Sequence, residues 1–80
     1  MDIVTFTTDL VKSICKNPDV VSVSKFELEE ATMLEIIVSQ EDKGSVIGKN
    51  GTTIGAIKTL IMTKAHIDNL SKIKVNVDSF

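Results

Sequence analysis

Four consecutive residues, Gly48-Lys49-Asn50-Gly51, combine two glycines, a cation and a turn-forming amide. Glycine reaches positive φ at no steric cost, and without a Cβ it lets a ligand lie against the main chain. The run therefore predicts a tight turn whose backbone N–H groups and lysine can hold an anion such as a phosphate. Thr52 or Thr53, just behind it, is placed to cap a helix whose positive dipole end points back at the same anion. No comparable grouping supports catalysis. His66 is the only histidine and falls near the end of a helical pattern, where it suits the negative end of the dipole. Glu29 and Glu30 read as solvated turn residues, and Glu41 and Asp42 as the acids of a helix start.

The overall charge of −2 argues against a polyanion as ligand until it is mapped along the chain. Residues 1–42 carry three lysines and nine acids, whereas residues 43–80 carry six lysines and two acids. From Lys43 to Ile67 there are four lysines and no acid, and the glycine turn lies inside that window. Lys58 and Lys64 have two readings, as contacts for an anion or as residues that solvate the outer face of a helix.

The elements that must position the turn follow from hydrophobic spacing. Ile3, Phe6, Leu10, Val11 and Ile14 give an amphipathic helix over residues 2–16, ended by Asn17-Pro18 because the residue before proline is pushed out of the α region. Residues 20–29 read as a strand in which Val21 and Val23 lie in one phase and Phe26 and Leu28 in the other, so a bulge near Ser24-Lys25 is expected. Residues 32–39 form a second strand, apolar on both faces, which is either central in a sheet or lends one face to binding. Residues 40–47 give one or two helical turns. Ile54, Ile57, Leu60, Ile61 and Ala65 define a long helix over residues 52–65, and Ile73, Val75 and Val77 a half-buried last strand.

At 80 residues the chain has room for one domain, residues 1–80. A core of this size supplies about 3–5 kcal/mol of net stability, which makes dimerisation a live expectation. The 42% hydrophobic and 25% charged composition is that of an ordinary globular domain, not a disordered one. The start lacks the basic and apolar run of a signal peptide, and no apolar stretch nears the ~18 residues of a membrane span, so a cytoplasmic protein without a membrane role is expected. The single cysteine, Cys15, excludes an intrachain disulfide and a cysteine-based metal cluster, and reads as a small packed side chain. No cofactor or metal is expected.

Named phosphate motifs narrow the turn further. A P-loop fails because Gly44 and Gly48 enclose three residues rather than four and Asn50 follows Lys49; the dinucleotide fingerprint fails because Gly48, Gly51 and Gly55 are wrongly spaced and follow a helix. A Gly-x-x-Gly turn between two helices remains, the device with which KH domains clamp about four nucleotides of a single strand. Val46-Ile47-Gly48-Lys49-Asn50-Gly51 with Ala56-Ile57-Lys58-Thr59-Leu60, after a first helix ending Lys16-Asn17-Pro18-Asp19, resembles the small bacterial single-KH RNA-binding proteins of the KhpA family. The resemblance covers nearly the whole chain.

That resemblance implies a type II KH fold: α+β, in α-β-β-α-α-β order, with a three-stranded mixed sheet packed against three helices. It implies that Gly48, Lys49, Asn50 and Gly51 contact the backbone of single-stranded RNA, that Lys58 assists, and that Ile47 and Ile54, with Ile36 or Val38, line an apolar groove for the bases. It further implies an RNA chaperone or post-transcriptional regulator, acting as a homodimer or paired with a larger Jag-type KH protein. The chain departs from the pattern in having no arginine and in placing Thr52, Thr53, Ile54 and Gly55 where relatives carry basic residues. With Trp and Tyr absent and Phe6, Phe26 and Phe80 distant, aliphatic packing replaces aromatic stacking. Two or three engaged lysines predict a log–log salt slope on the order of −1.5 to −2. The alternative is a protein-interaction or dimerisation module with a degenerate KH fold, a merely structural turn and little RNA affinity.

Overall fold

The computed structural model describes residues 2–70 and 72–80. Three helices, α1 (Ile3–Lys12), α2 (Gln40–Ile47) and α3 (Thr52–Ile67), and three strands, β1 (Ser22–Glu27), β2 (Thr32–Val38) and β3 (Ile73–Ser79), follow in the order α1-β1-β2-α2-α3-β3. The sheet runs β1-β2-β3, with β1 antiparallel and β3 parallel to β2. This is the α+β, type II KH arrangement expected from the sequence.

The two-sided apolarity of β2 is that of a central strand. Leu34, Ile36 and Val38 are fully buried, while Met33, Glu35 and Ile37 on the other face are only half-buried. The buried face packs against Ile3 and Val11 of α1, Val46 of α2, Ile57, Ile61 and Ala65 of α3, and Ile73 of β3. All three helices therefore cover one face of the sheet, and the loop between α2 and α3 hangs at the rim of that layer.

Three expectations need correction. Helix α1 stops at Lys12, because the Ser13 hydroxyl donates to the Leu10 carbonyl at 2.6 Å and the chain then turns toward α2, which leaves Ile14 exposed. Strand β1 carries no bulge: Ser22 to Glu27 pair one-for-one with Ile37 to Thr32. The phases need no reconciliation, since β1 is an edge strand that half-buries Val23 and leaves Phe26 on the uncovered face, 45% exposed. Neither Thr52 nor Thr53 caps α3; its N-cap is Gly51, which has no side chain with which to accept.

Candidate nucleic-acid interface

Helix α2 delivers the chain to the turn. Ser39 is its N-cap, its hydroxyl accepting from the Asp42 amide at 3.1 Å. Asp42 is an acid buried to 1% exposure. Its carboxylate receives the Lys16 amide at 2.9 Å, the Asn17 amide at 2.8 Å and the Ser39 hydroxyl at 3.0 Å. The Asn17 carboxamide adds a bond to the Ser39 hydroxyl at 3.1 Å. Next along the helix, the Lys43 ammonium lies 3.3 Å from Asp78 near the end of β3.

The turn itself is built from left-handed backbone. Gly48 has φ 78° and ψ 170°, Asn50 φ 57° and ψ 28°, and Gly51 φ 74° and ψ 15°. The Gly48 amide donates to the Gly44 carbonyl at 2.8 Å and closes α2, and the Gly51 amide donates to the Gly48 carbonyl at 3.2 Å. The Thr52 hydroxyl donates to the Lys49 carbonyl at 2.9 Å, tying the turn to the start of α3. Among the described residues the amides of Lys49 and Asn50 have no acceptor, and both residues are exposed. The tip therefore presents two free N–H groups, a lysine and the uncapped N-terminus of α3, an arrangement suited to an anion.

Of the four lysines in the acid-free window, two are engaged elsewhere, Lys43 with Asp78 and Lys64 with Asp68 at 3.2 Å. Lys49 is exposed and Lys58 half-buried on α3, and among the described residues neither forms an ion pair. Ile47 and Ile54 flank the turn, both half-buried; Ile54 packs against the core. All seven residues singled out in the sequence thus occur along one run of chain through the turn. Ile36 and Val38 do not join them: both have no exposed surface and lie beneath the helices, so neither can line a groove. The half-buried apolar surface of the outer strand comes from Val75 and Val77 of β3, expected from the sequence as a half-buried strand but not as part of a groove.

A concavity of about 520 Å³ opens elsewhere, at the β1–β2 hairpin, lined by Glu27, Leu28, Glu29, Glu30, Ala31 and Thr32 with Asn69 and Leu70. Its three glutamates make it unsuited to a polyanion. Among the described residues no three His, Cys, Asp or Glu side chains group so as to hold a metal ion, and no helix is long and apolar enough to cross a membrane.

A family model for the KH domain of KhpA and KhpB matches residues 5–78. The chain belongs to the KhpA/KhpB KH-domain family. It is 42% identical over 52 residues to a protein of Thermotoga maritima named RNA-binding protein KhpA, spanning 65% of this chain and 69% of that one. A protein of the same name from Caldanaerobacter subterraneus is 41% identical over 61 residues, spanning 71% and 81% of the two chains, and one from Chlamydia trachomatis is 34% identical over 65 residues, spanning 81% and 83%. Among solved structures, Era from Aquifex aeolicus superposes with a TM-score of 0.75, and Era in complex with nucleotides 1506–1542 of 16S ribosomal RNA with 0.73. Both are 16% identical; the match takes in 98% of this chain and 30% of those longer ones, and establishes likeness of fold.

The carboxylates of the site carry a pH prediction. The Lys16 amide, aided by the Asn17 amide and the Ser39 hydroxyl, holds the Asp42 carboxyl below the usual range against the opposing effect of burial. Asp78 is lowered by the Ser79 amide and by Lys43, and Asp2 by the Thr5 amide. A carboxylate with a depressed folded-state pKa adds stability that is complete above its unfolded value, about 3.9, and is lost as pH falls through the folded one. Urea midpoints are accordingly expected to stay level from neutral pH to about 5 and to fall below about 4. The fall should be shallower in Asp42→Asn, and equal acid sensitivity in the two proteins would contradict the assignment to Asp42.

Proposed function

We propose that the chain binds single-stranded RNA with the Gly48–Gly51 turn, as an RNA chaperone or post-transcriptional regulator of the cytoplasm, without catalysis of its own. The observation that carries this reading is the pair of free amides at Lys49 and Asn50, held at an exposed, positively charged tip by left-handed backbone at Gly48, Asn50 and Gly51. Family membership and the names of the relatives point the same way. Phosphates meet these amides and Lys49, with Lys58 nearly two turns into α3. Bases pack on Ile47, Ile54 and the half-buried Val75 and Val77.

The salt dependence tests the footprint. With Lys43 and Lys64 paired internally, two lysines remain, and the slope of log K against log salt is expected near −1.4 for a single strand. Fluorescence anisotropy on a labelled single-stranded RNA, titrated across a salt series, measures it. Absence of binding, or a slope steeper than about −5, would overturn this interface.

The active unit is proposed to be a dimer, a homodimer or a pair with a larger Jag-type KH protein. The outer side of α3 favours self-association: Leu60 and Ile67, seven residues apart on one stripe, are 47% and 68% exposed, and Met62, at the opposite edge of that side, is 50% exposed. Thr59 and Thr63 turn their hydroxyls back onto the Gly55 and Thr59 carbonyls, which leaves their methyl groups outward. Small residues, Gly55 and Ala56, stand at one end of this face and large ones at the other, so an antiparallel copy fits small against large in a two-fold contact. Light scattering is expected to give about twice the 8.7 kDa chain mass, and Leu60→Asp to halve it; a monomer at tens of micromolar would sink the self-association.

A further inference from the structure

The Gly48–Gly51 turn is only as well placed as α2, and α2 cannot place itself. It has eight residues, one of them Gly44, and buries two side chains, Asp42 and Val46. A helix of this length is marginal in water, and a glycine within it weakens it further. Two further ties are weak: Lys43 to Asp78 joins side chains that are 38% and 60% exposed, and the Asn17 carboxamide reaches the exposed Glu41 only at 3.4 Å. Val46 supplies apolar contact, which holds position but tolerates rotation. The directional restraint is at Asp42, where one carboxylate oxygen takes the Lys16 amide and the other takes the Asn17 amide and the Ser39 hydroxyl. Two backbone donors from successive residues fix the carboxylate plane, and with it the azimuth of the first turn of α2.

We infer that Asp42, itself remote from any nucleotide, is the positioning residue of the RNA-binding turn. Its carboxylate clasps α2 to the backbone connection between α1 and β1 and so sets where the free Lys49 and Asn50 amides point. The inference rests on the RNA-binding reading of that turn. Leverage makes the clasp matter: eight residues give a helix of about 12 Å, so a 10° tilt at its start moves its far end by about 2 Å. Hydrogen bonds to a phosphate operate within about 2.7–3.2 Å, and a shift of that size removes them. Asparagine, though isosteric, cannot replace the clasp: its one carbonyl oxygen accepts on one side only, and its NH2 turns a donor on the backbone N–H at the other.

The test has two arms. In the first, backbone amide exchange is followed by NMR in the wild type and in Asp42→Asn; exchange over residues 43–51 is expected to accelerate while the buried strand β2 keeps its protection. In the second, affinity for a fluorescein-labelled single-stranded RNA dodecamer is expected to fall about tenfold, the loss of about one charge-assisted hydrogen bond. Val11→Ala, a core truncation in α1, serves as a control of lowered stability and is expected to bind within twofold of the wild type. Unchanged exchange over residues 43–51 in a folded Asp42→Asn would overturn the clasp, as would an equal loosening of the turn in Val11→Ala. Should Asp42→Asn fail to fold, Ser39→Ala, which removes one of the three donors, is expected to show the same local pattern in smaller degree, and its absence is equally fatal. A wild type that binds no RNA would refute the RNA reading alone, since the exchange arm decides the clasp without ligand.

Discussion

Gly48→Ala is expected to remove most of the stability of the chain and all of its RNA binding, whereas Gly51→Ala costs little. The two glycines look equivalent in sequence and share a positive φ, 78° and 74°. Their surroundings differ. A Cβ on Gly48 would fall 2.7 Å from the Thr53 amide nitrogen and would also strike the Thr53 side chain, whereas one on Gly51 meets nothing nearer than Ile54 Cγ2 at 4.0 Å. The Thr53 nitrogen belongs to the first turn of α3 and cannot move without moving the helix. At φ 78° and ψ 170° Gly48 also occupies a region used almost only by glycine, while Gly51 lies in the ordinary left-handed well. Strain and clash together put Gly48→Ala at roughly 3 kcal/mol or more, against about 1 kcal/mol for Gly51→Ala. Since a domain of this size has about 3–5 kcal/mol in hand, the first variant is left with at most about 2 kcal/mol and the second keeps most of its stability. Urea denaturation compares them directly, and equal midpoints would show that the two positions are interchangeable.

What the sequence revealed and concealed follows from the range of the interactions concerned. Periodicity marked α1, α3 and the inward phase of β2, because those patterns record burial on a single face, whereas α2 was read from the acids of its first turn. The Gly-Lys-Asn-Gly turn was legible because its conformation depends on the residues within it. Contacts between distant segments were not legible. Asp42 and Glu41 look alike as acids of a helix start, yet only Asp42 meets the Lys16 and Asn17 amides, some 25 residues away, and is buried. The resemblance implied Ile36 or Val38 as groove residues, and the two-sided apolarity of β2 left open whether it was central or lent a face to binding; the strand order makes it central, with both side chains buried beneath the helices. Likewise the pairing of Lys64 with Asp68 follows from i, i+4 spacing, but the pairing of Lys43 with Asp78 depends on α2 crossing the end of β3.

The paired substitution Lys49→Asp/Asn50→Asp separates a functional turn from a structural one. Both side chains are exposed and, among the described residues, neither makes a hydrogen bond, so the fold does not depend on their charge. Asn50 sits at φ 57°, a conformation that Asp tolerates nearly as well as Asn, so the turn should keep its shape and the thermal midpoint should move by no more than a few degrees. The electrostatic change is large by comparison: one positive charge becomes two negative ones beside the two free amides. Like charge facing a phosphate costs several kcal/mol, and affinity for single-stranded RNA at low salt is expected to fall by about two orders of magnitude. The origin of the loss is visible in its salt dependence. A field effect is screened over about 10 Å at 0.1 M, so the gap between variant and wild type should narrow as salt rises. A gap that persists would instead report lost hydrogen bonds from the turn itself. Equal affinity in two folded proteins, or none in either, would leave Gly48–Gly51 as a turn that joins two helices and the outer face of α3 as the working surface of the chain.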